Sequence, residues 1–193
     1  MQSRFHSKFK KMMSILYPGE HFACKDDRIL ATLLGSCVAV CLKDQETGVC
    51  GMNHFMLPGD FRSIDIFDNA TGRYGMFAME LLLGEMIKLG GKRQKLTAKI
   101  FGGGHVLSFD SQGPSVSENN IKFVKAFLNM EGIKIIGQDL GGRQGRKILF
   151  FTQKGDVYAR KLAPTTEARV DRAEKAYQSR LKREQPASSV TLF

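Results

Sequence analysis

The run Cys37-Val38-Ala39-Val40-Cys41-Leu42 is apolar at every position and rich in strand formers. Successive side chains on a strand point to opposite faces, so such a strand must be buried on both sides. The polar Lys43 to Thr47 follows, then Gly48 to Leu57, which stops at Pro58-Gly59. The two arms read as a β-hairpin covered on both faces. A length of 193 residues suits one domain with a sizeable core around it, not two.

The flanking segments give the rest of the fold class. His21 to Lys25 and Arg28 to Leu34 read as short extended segments parted by Asp26-Asp27. Tyr74 to Leu89 places Phe77, Ala78, Leu81, Leu82, Met86 and Leu89 at helical steps, with Gly90-Gly91 as its C-cap. Lys95 to Phe101 is a predicted strand running into Gly102-Gly103-Gly104. Ser117 is the expected cap of a second helix that buries Ile121, Val124, Phe127 and Leu128. Lys134 to Gln138, Lys147 to Thr152 and Asp156 to Leu162 are three more strands between glycine-containing turns. Thr165 and Thr166 offer caps to a helix reaching about Glu184, with Ala168, Val170, Ala173, Ala176, Tyr177 and Leu181 on a thin apolar side, before a disordered end from Pro186. Strands cluster rather than alternate with helices, so the fold is α/β or mixed α+β. The expected organisation is a basic leader over 1–17, one domain over 18–163, and a basic helix and tail over 164–193.

Composition excludes several classes. No apolar run approaches the roughly 18 residues of a membrane span, and Met12 to Leu16 is too short for a secretory core, so a soluble cytoplasmic protein is expected. Four cysteines are too sparse for a disulfide scaffold. The formal net charge is +10. Arg4, Lys8, Lys10 and Lys11 give residues 1–11 a charge of +4, and residues 160–185, with eight basic and four acidic side chains, add +4, leaving +2 for the body. Basicity confined to the ends argues against a nucleic-acid groove. The terminal segments are expected to be solvated, or to steer the protein toward acidic partners.

The hairpin also carries the candidate chemistry. Facing residues of an antiparallel pair share a constant sum set by the loop. With Asp44 to Thr47 as the loop that sum is 91, and Cys37 then faces His54. Their Cβ atoms would lie roughly 5 Å apart, within reach of a thiol–imidazole hydrogen bond. A neighbouring imidazole can take the thiol proton and leave a thiolate nucleophile. The Gly35-Ser36 turn can aim backbone N–H groups at one spot, as an oxyanion hole requires. The same sum sets Cys41 against Cys50, but residues four apart on a strand are about 13 Å apart, too far to share a zinc ion with Cys37 and His54. Cys41 and Cys50 are therefore taken as small apolar core. The glycines after Phe101 lack phosphate-loop spacing and are expected to let backbone pass close to the site. His105 is expected at the surface or packed. Asp139 is expected to pair with Arg143 or Arg146.

Leu34-Gly35-Ser36-Cys37-Val38-Ala39-Val40-Cys41-Leu42 with Gly51-Met52-Asn53-His54-Phe55-Met56-Leu57-Pro58 closely resembles the paired signature of the CheD family, the chemoreceptor glutamine deamidases. Lys99-Ile100-Phe101-Gly102-Gly103 and Asp139-Leu140-Gly141-Gly142-Arg143-Gln144-Gly145-Arg146 continue the match in family order. The resemblance implies a single layered α/β/β domain of cysteine-hydrolase type, related to toxins that deamidate glutamine. It implies a Cys-His-Thr site: Cys37 as nucleophile, His54 as base and Thr32 orienting the imidazole. Gly35, Ser36, Asn53, Phe101, Gly102 and Gly103 are expected near the oxyanion or the substrate. The implied reaction converts receptor glutamine to glutamate with release of ammonia and needs no cofactor or metal. The implied partners are chemotaxis receptors and a CheC-type phosphatase, for which the chain could instead be a non-enzymatic adaptor.

Overall fold

The computed structural model describes residues 1–58, 70–105 and 115–184. Its strands are β1 (Gln2–His6), β2 (Lys11–Ile15), β3 (His21–Cys24), β4 (Arg28–Leu34), β5 (Val38–Asp44), β6 (Cys50–Phe55), β7 (Leu96–Gly102), β8 (Lys134–Leu140), β9 (Arg146–Phe151) and β10 (Asp156–Lys161); its helices are α1 (Ala70–Lys88), α2 (Val116–Met130) and α3 (Pro164–Glu184). The first sheet runs β1-β2-β4-β9-β10 and the second β3-β6-β5-β7-β8. Both are mixed: β2 pairs with β4, and β7 with β8, in parallel, and the other ladders are antiparallel.

Three layers result. Helices α1 and α2 cover the outer face of the second sheet, packing on Val38, Val40, Leu42 and Phe55. The inner face, with Cys37, Ala39, Cys41, Cys50 and Met52, meets Leu30, Leu34, Ile148 and Phe150 of the first sheet. Strand β5, central in its sheet, is buried at all seven positions, as its unbroken apolar pattern requires. The outer face of the first sheet carries a smaller cluster around Met13, Ile29 and Ala31.

The chain changes sheets once in a way that matters for chemistry. Strand β4 belongs to the first sheet and β5 to the second, so Gly35-Ser36-Cys37 is the corner between them. Side chains near this corner from both sheets converge in the buried space between the layers.

Several expectations are corrected. The β5–β6 register pairs Ala39 with His54 and Val38 with Phe55, a sum of 93. Asp44 ends the strand instead of opening the loop: its N–H donates to Val49 O, and its carboxylate accepts the N–H groups of Glu46, Thr47 and Lys92. Cys41 therefore faces Met52, while Cys50 faces Lys43 on one side and Cys24 of β3 on the other. In α1, Phe77 and Leu81 are exposed, as is Leu89 just beyond it, and the buried stripe is Gly72, Gly75, Met79, Leu82, Leu83 and Met86. The cap of α2 is Ser115, reciprocated by Glu118 in a capping box; Ser117 lies inside the first turn and donates to Gly104 O. Residues 2–6 and 11–15 of the basic leader are strands of the first sheet. Ala168, Ala173 and Ala176 of α3 are exposed. The expected hairpin end at Gly59 and the disordered end from Pro186 lie outside the described residues.

Candidate active site

Alternation along three strands builds the site. On β4, Leu30, Thr32 and Leu34 face inward while Ile29 and Ala31 face out. On β6 the same rule turns Cys50, Met52 and His54 inward. Cys37 precedes Val38 by one residue and so shares the inner face with Ala39, diagonal to His54. The register differs from the expected one by an even sum, so the thiol and the imidazole still share a face. A Cys37 Sγ, a His54 ring nitrogen and a Glu174 carboxylate oxygen all lie within 4.8 Å of one another.

The imidazole has a defined proton. Thr32 Oγ1 lies 2.7 Å from His54 Nδ1 and donates its single hydrogen to Leu16 O at 2.9 Å. The hydroxyl must then accept from Nδ1–H. Nε2 is left with its lone pair, buried and without a hydrogen-bond partner among the described residues. Thr32 and His54 are 2% and 1% exposed.

Both partners are neutral at rest. Burial pushes the His54 imidazole down to about 3, against a smaller upward pull from the Leu16 carbonyl. Burial, then the charge and hydrogen bond of Glu174, push the Cys37 thiol well above the ordinary thiol range. Burial likewise raises Cys24, to about 12, and Cys41 and Cys50.

The corner holding Cys37 is fixed from one side. Asn120 of α2 donates to Ser36 O at 2.9 Å, Gly103 N–H to Cys37 O at 2.7 Å, and Gly104 N–H to Gly35 O at 2.7 Å. With those carbonyls tied back, the N–H groups of Gly35, Ser36 and Cys37 point together to the other side, forming a nest for negative charge. A carboxylate from α3 occupies it. Glu174 Oε1 accepts from Gly35 N–H at 2.8 Å and Cys37 N–H at 3.3 Å; Oε2 accepts from Ser36 N–H and Ser36 Oγ–H, each at 2.7 Å.

Of the residues expected near the substrate, Gly35 and Ser36 line this nest. Gly102 and Gly103 pack behind it, where a Cβ on Gly102 would lie 2.1 Å from Cys37 O. Phe101 faces the inner layer beside Ala39. Asn53 does not belong to this group. Next to His54 on β6, it points to the opposite face, where its carboxamide accepts from Val40 N–H and donates to Met79 Sδ. His105 is exposed at the far end of the glycine segment, its N–H on Gly142 O. Arg146, buried, pairs with Asp139 and donates to Gly102 O and Gly141 O.

Two residues escaped the sequence reading. Asn120 left no separate signal inside an amphipathic helix. Glu174 did: Val170, Tyr177 and Leu181 stand at helical steps that put positions 174 and 178 on the same line. Cys37, His54 and Glu174 are also the one close trio of metal-ligating side chains among the described residues, although both Glu174 oxygens already accept hydrogen bonds.

A layered α/β/β domain with a thiol, an imidazole and a hydroxyl gathered beside convergent N–H groups is an arrangement suited to acyl transfer. A family model described as "CheD chemotactic sensory transduction" matches residues 56–161. A "Probable chemoreceptor glutamine deamidase CheD" of Herminiimonas arsenicoxydans is 40% identical over 186 residues, 96% of this chain and 91% of its own. One from Laribacter hongkongensis is 40% identical over 98% of this chain and 91% of its own. One from Bordetella petrii is 47% identical over 84% of this chain and 70% of its own. The chain belongs to the CheD family. The solved structure of Bacillus licheniformis hypothetical protein YfiH aligns with 62% of this chain and 50% of its own at a TM-score of 0.40 and 14% identity.

Proposed function

We propose that the chain is a chemoreceptor glutamine deamidase working through Cys37, His54 and Thr32. The observation that carries this reading is the buried Nε2 of His54, without a hydrogen-bond partner among the described residues and close to the Cys37 thiol, with Thr32 holding the proton on Nδ1. Membership of a family whose relatives bear that name supports the substrate class.

In the proposed reaction the Cys37 proton passes to His54 Nε2 as the sulfur attacks the side-chain carbonyl carbon of a glutamine. The oxyanion is held by the N–H groups of Gly35, Ser36 and Cys37. Imidazolium His54 gives its proton to the nitrogen, the C–N bond breaks, and ammonia leaves. Water, deprotonated at Nε2, attacks the thioester; the C–S bond breaks, glutamate departs and the thiol is restored. Thr32 keeps the imidazole in the tautomer that both half-reactions need. Gly102 and Gly103 position the nucleophile and touch no reacting atom.

We also propose a cytoplasmic location and a CheC-type phosphatase as a further partner. Among the described residues no helix is long and apolar enough to cross a membrane. An adaptor would change phosphatase activity without releasing ammonia. The deciding experiment incubates the full chain, and Cys37→Ala, with receptor cytoplasmic fragments and maps Gln-to-Glu changes by mass spectrometry. Conversion is expected with the parent chain and absent with the variant; equal conversion by both would reject Cys37 as nucleophile.

A further inference from the structure

Helix α3 buries Val170, Glu174, Tyr177, Gln178 and Leu181 and exposes most of its remaining surface. Three- and four-residue steps make these positions one seam, the footprint of a single helix lying in a groove. At the centre of that seam sits an acid, 1% exposed. Burying a carboxylate is unfavourable unless hydrogen bonds satisfy it. Here the donors are the three corner N–H groups, with the Ser36 hydroxyl, that the reaction requires for its oxyanion. The side chain ending in the nest is a glutamate, the residue that glutamine hydrolysis produces, and it arrives on a helix.

We propose that α3 is a tethered pseudo-substrate, with Glu174 held where a substrate glutamine is converted, and that the groove beneath it is the docking surface for a substrate helix that displaces it. This rests on the deamidase reading above.

The groove continues beyond the nest on the side of Tyr177. Three residues after Glu174, Tyr177 reaches across to α1, its hydroxyl 2.7 Å from that of Tyr74. It passes over Gly19, where a Cβ would lie 2.3 Å from that hydroxyl. An incoming helix therefore presents a glutamine to the corner and a large aromatic or apolar side chain, three positions later, to Gly19 and Tyr74. A carboxamide matches the carboxylate in shape: its oxygen takes the place of Oε1 on the Gly35 and Cys37 N–H groups, and its nitrogen, the leaving group, replaces Oε2, donating to a turned Ser36 hydroxyl and leaving the Ser36 N–H without its acceptor. The seated acid also contributes to keeping the Cys37 thiol protonated, so displacement empties the nest and frees the nucleophile together.

The test converts the plug into a substrate within the full-length chain. In Glu174→Gln, the seated carboxamide is expected to return to glutamate at a rate independent of protein concentration: sulfur bonds to the side-chain carbon, ammonia leaves, and water completes the hydrolysis. Peptide mass mapping should find glutamate at position 174, and glutamine retained in the Cys37→Ala, Glu174→Gln double variant. In Glu174→Ala, alkylation of Cys37 should be about tenfold faster or more, the change expected when a largely closed site opens. Glutamine persisting at 174 in a preparation that converts receptor fragments would overturn the pseudo-substrate while leaving the deamidase reading intact. Unchanged alkylation in Glu174→Ala would overturn it too. Failure to convert both position 174 and receptor fragments would remove the deamidase reading, and this inference with it.

Discussion

A histidine enclosed between two sheets, its charged form disfavoured by burial, makes stability depend on pH in a calculable direction. His54 titrates at about 3 in the fold and near 6.5 in an unfolded chain. Between those values the unfolded state binds a proton that the native state refuses, so stability rises with pH. The contribution is complete above about pH 6.5 and is lost as pH falls, at up to about 1.4 kcal/mol per pH unit. Urea midpoints measured from pH 7 to 4.5 should fall for the parent chain and fall less steeply for His54→Gln; parallel curves would contradict this. The shared face of Cys37 and His54 was legible because strand alternation is robust: an error of two in the hairpin sum leaves every side chain on its face. Thr32, on a strand of the other sheet, entered only through the family resemblance. The acid opposite these side chains went unread although Val170, Tyr177 and Leu181 mark its line, because a glutamate among arginines and lysines also suits a solvated face.

At the level of elements, the corner depends on glycine at one place above others. Gly102 has φ +115°, and a Cβ there would lie 2.1 Å from the Cys37 carbonyl oxygen, against backbone that cannot yield. Gly102→Ala should lower stability by about 2–4 kcal/mol and slow any labelling of Cys37 that requires the native corner. Gly48→Ala, at φ +76° with no atom within 4 Å, should cost only about 1 kcal/mol. Comparable urea midpoints for the two variants would refute the close-contact argument. The triple glycine could be read from sequence as a place for close backbone approach; the backbone it approaches could not, because that contact joins β7 to a turn some sixty residues earlier. Helix α1 misled for a related reason: Gly51 of β6 gives room to Leu82 and Met86, and Gly75 lies against Phe123 and Leu57, so the buried stripe lies away from Phe77 and Leu81.

For the molecule as a whole, the layers and α3 should open on different scales. Strand β5 is covered at every position, whereas α3 rests on one seam. Native-state hydrogen exchange should therefore show amides of residues 168–182 exchanging about a hundredfold faster than those of β5, through partial opening rather than global unfolding. Equal protection would mean that α3 detaches only when everything else does. The mixed α/β class was readable from clustered strands and one doubly apolar run, and the α/β/β layering followed from the family resemblance. The participation of the basic leader as two further strands was not, because β1 is largely exposed and edge strands need little apolar patterning.

The corner at Gly35-Ser36-Cys37 joins one sheet to the other, and the side chains it brings together come from both. Thr32 travels with the first sheet and His54 with the second, so a relative slip of the two layers by a fraction of a side chain's width would part the hydroxyl from the ring. Reactivity at the sulfur thus acts as a built-in strain gauge for the mating of the sheets. Inter-sheet substitutions far from the corner, at Phe150 or Met52, would register there as altered chemistry before they registered as lost folding.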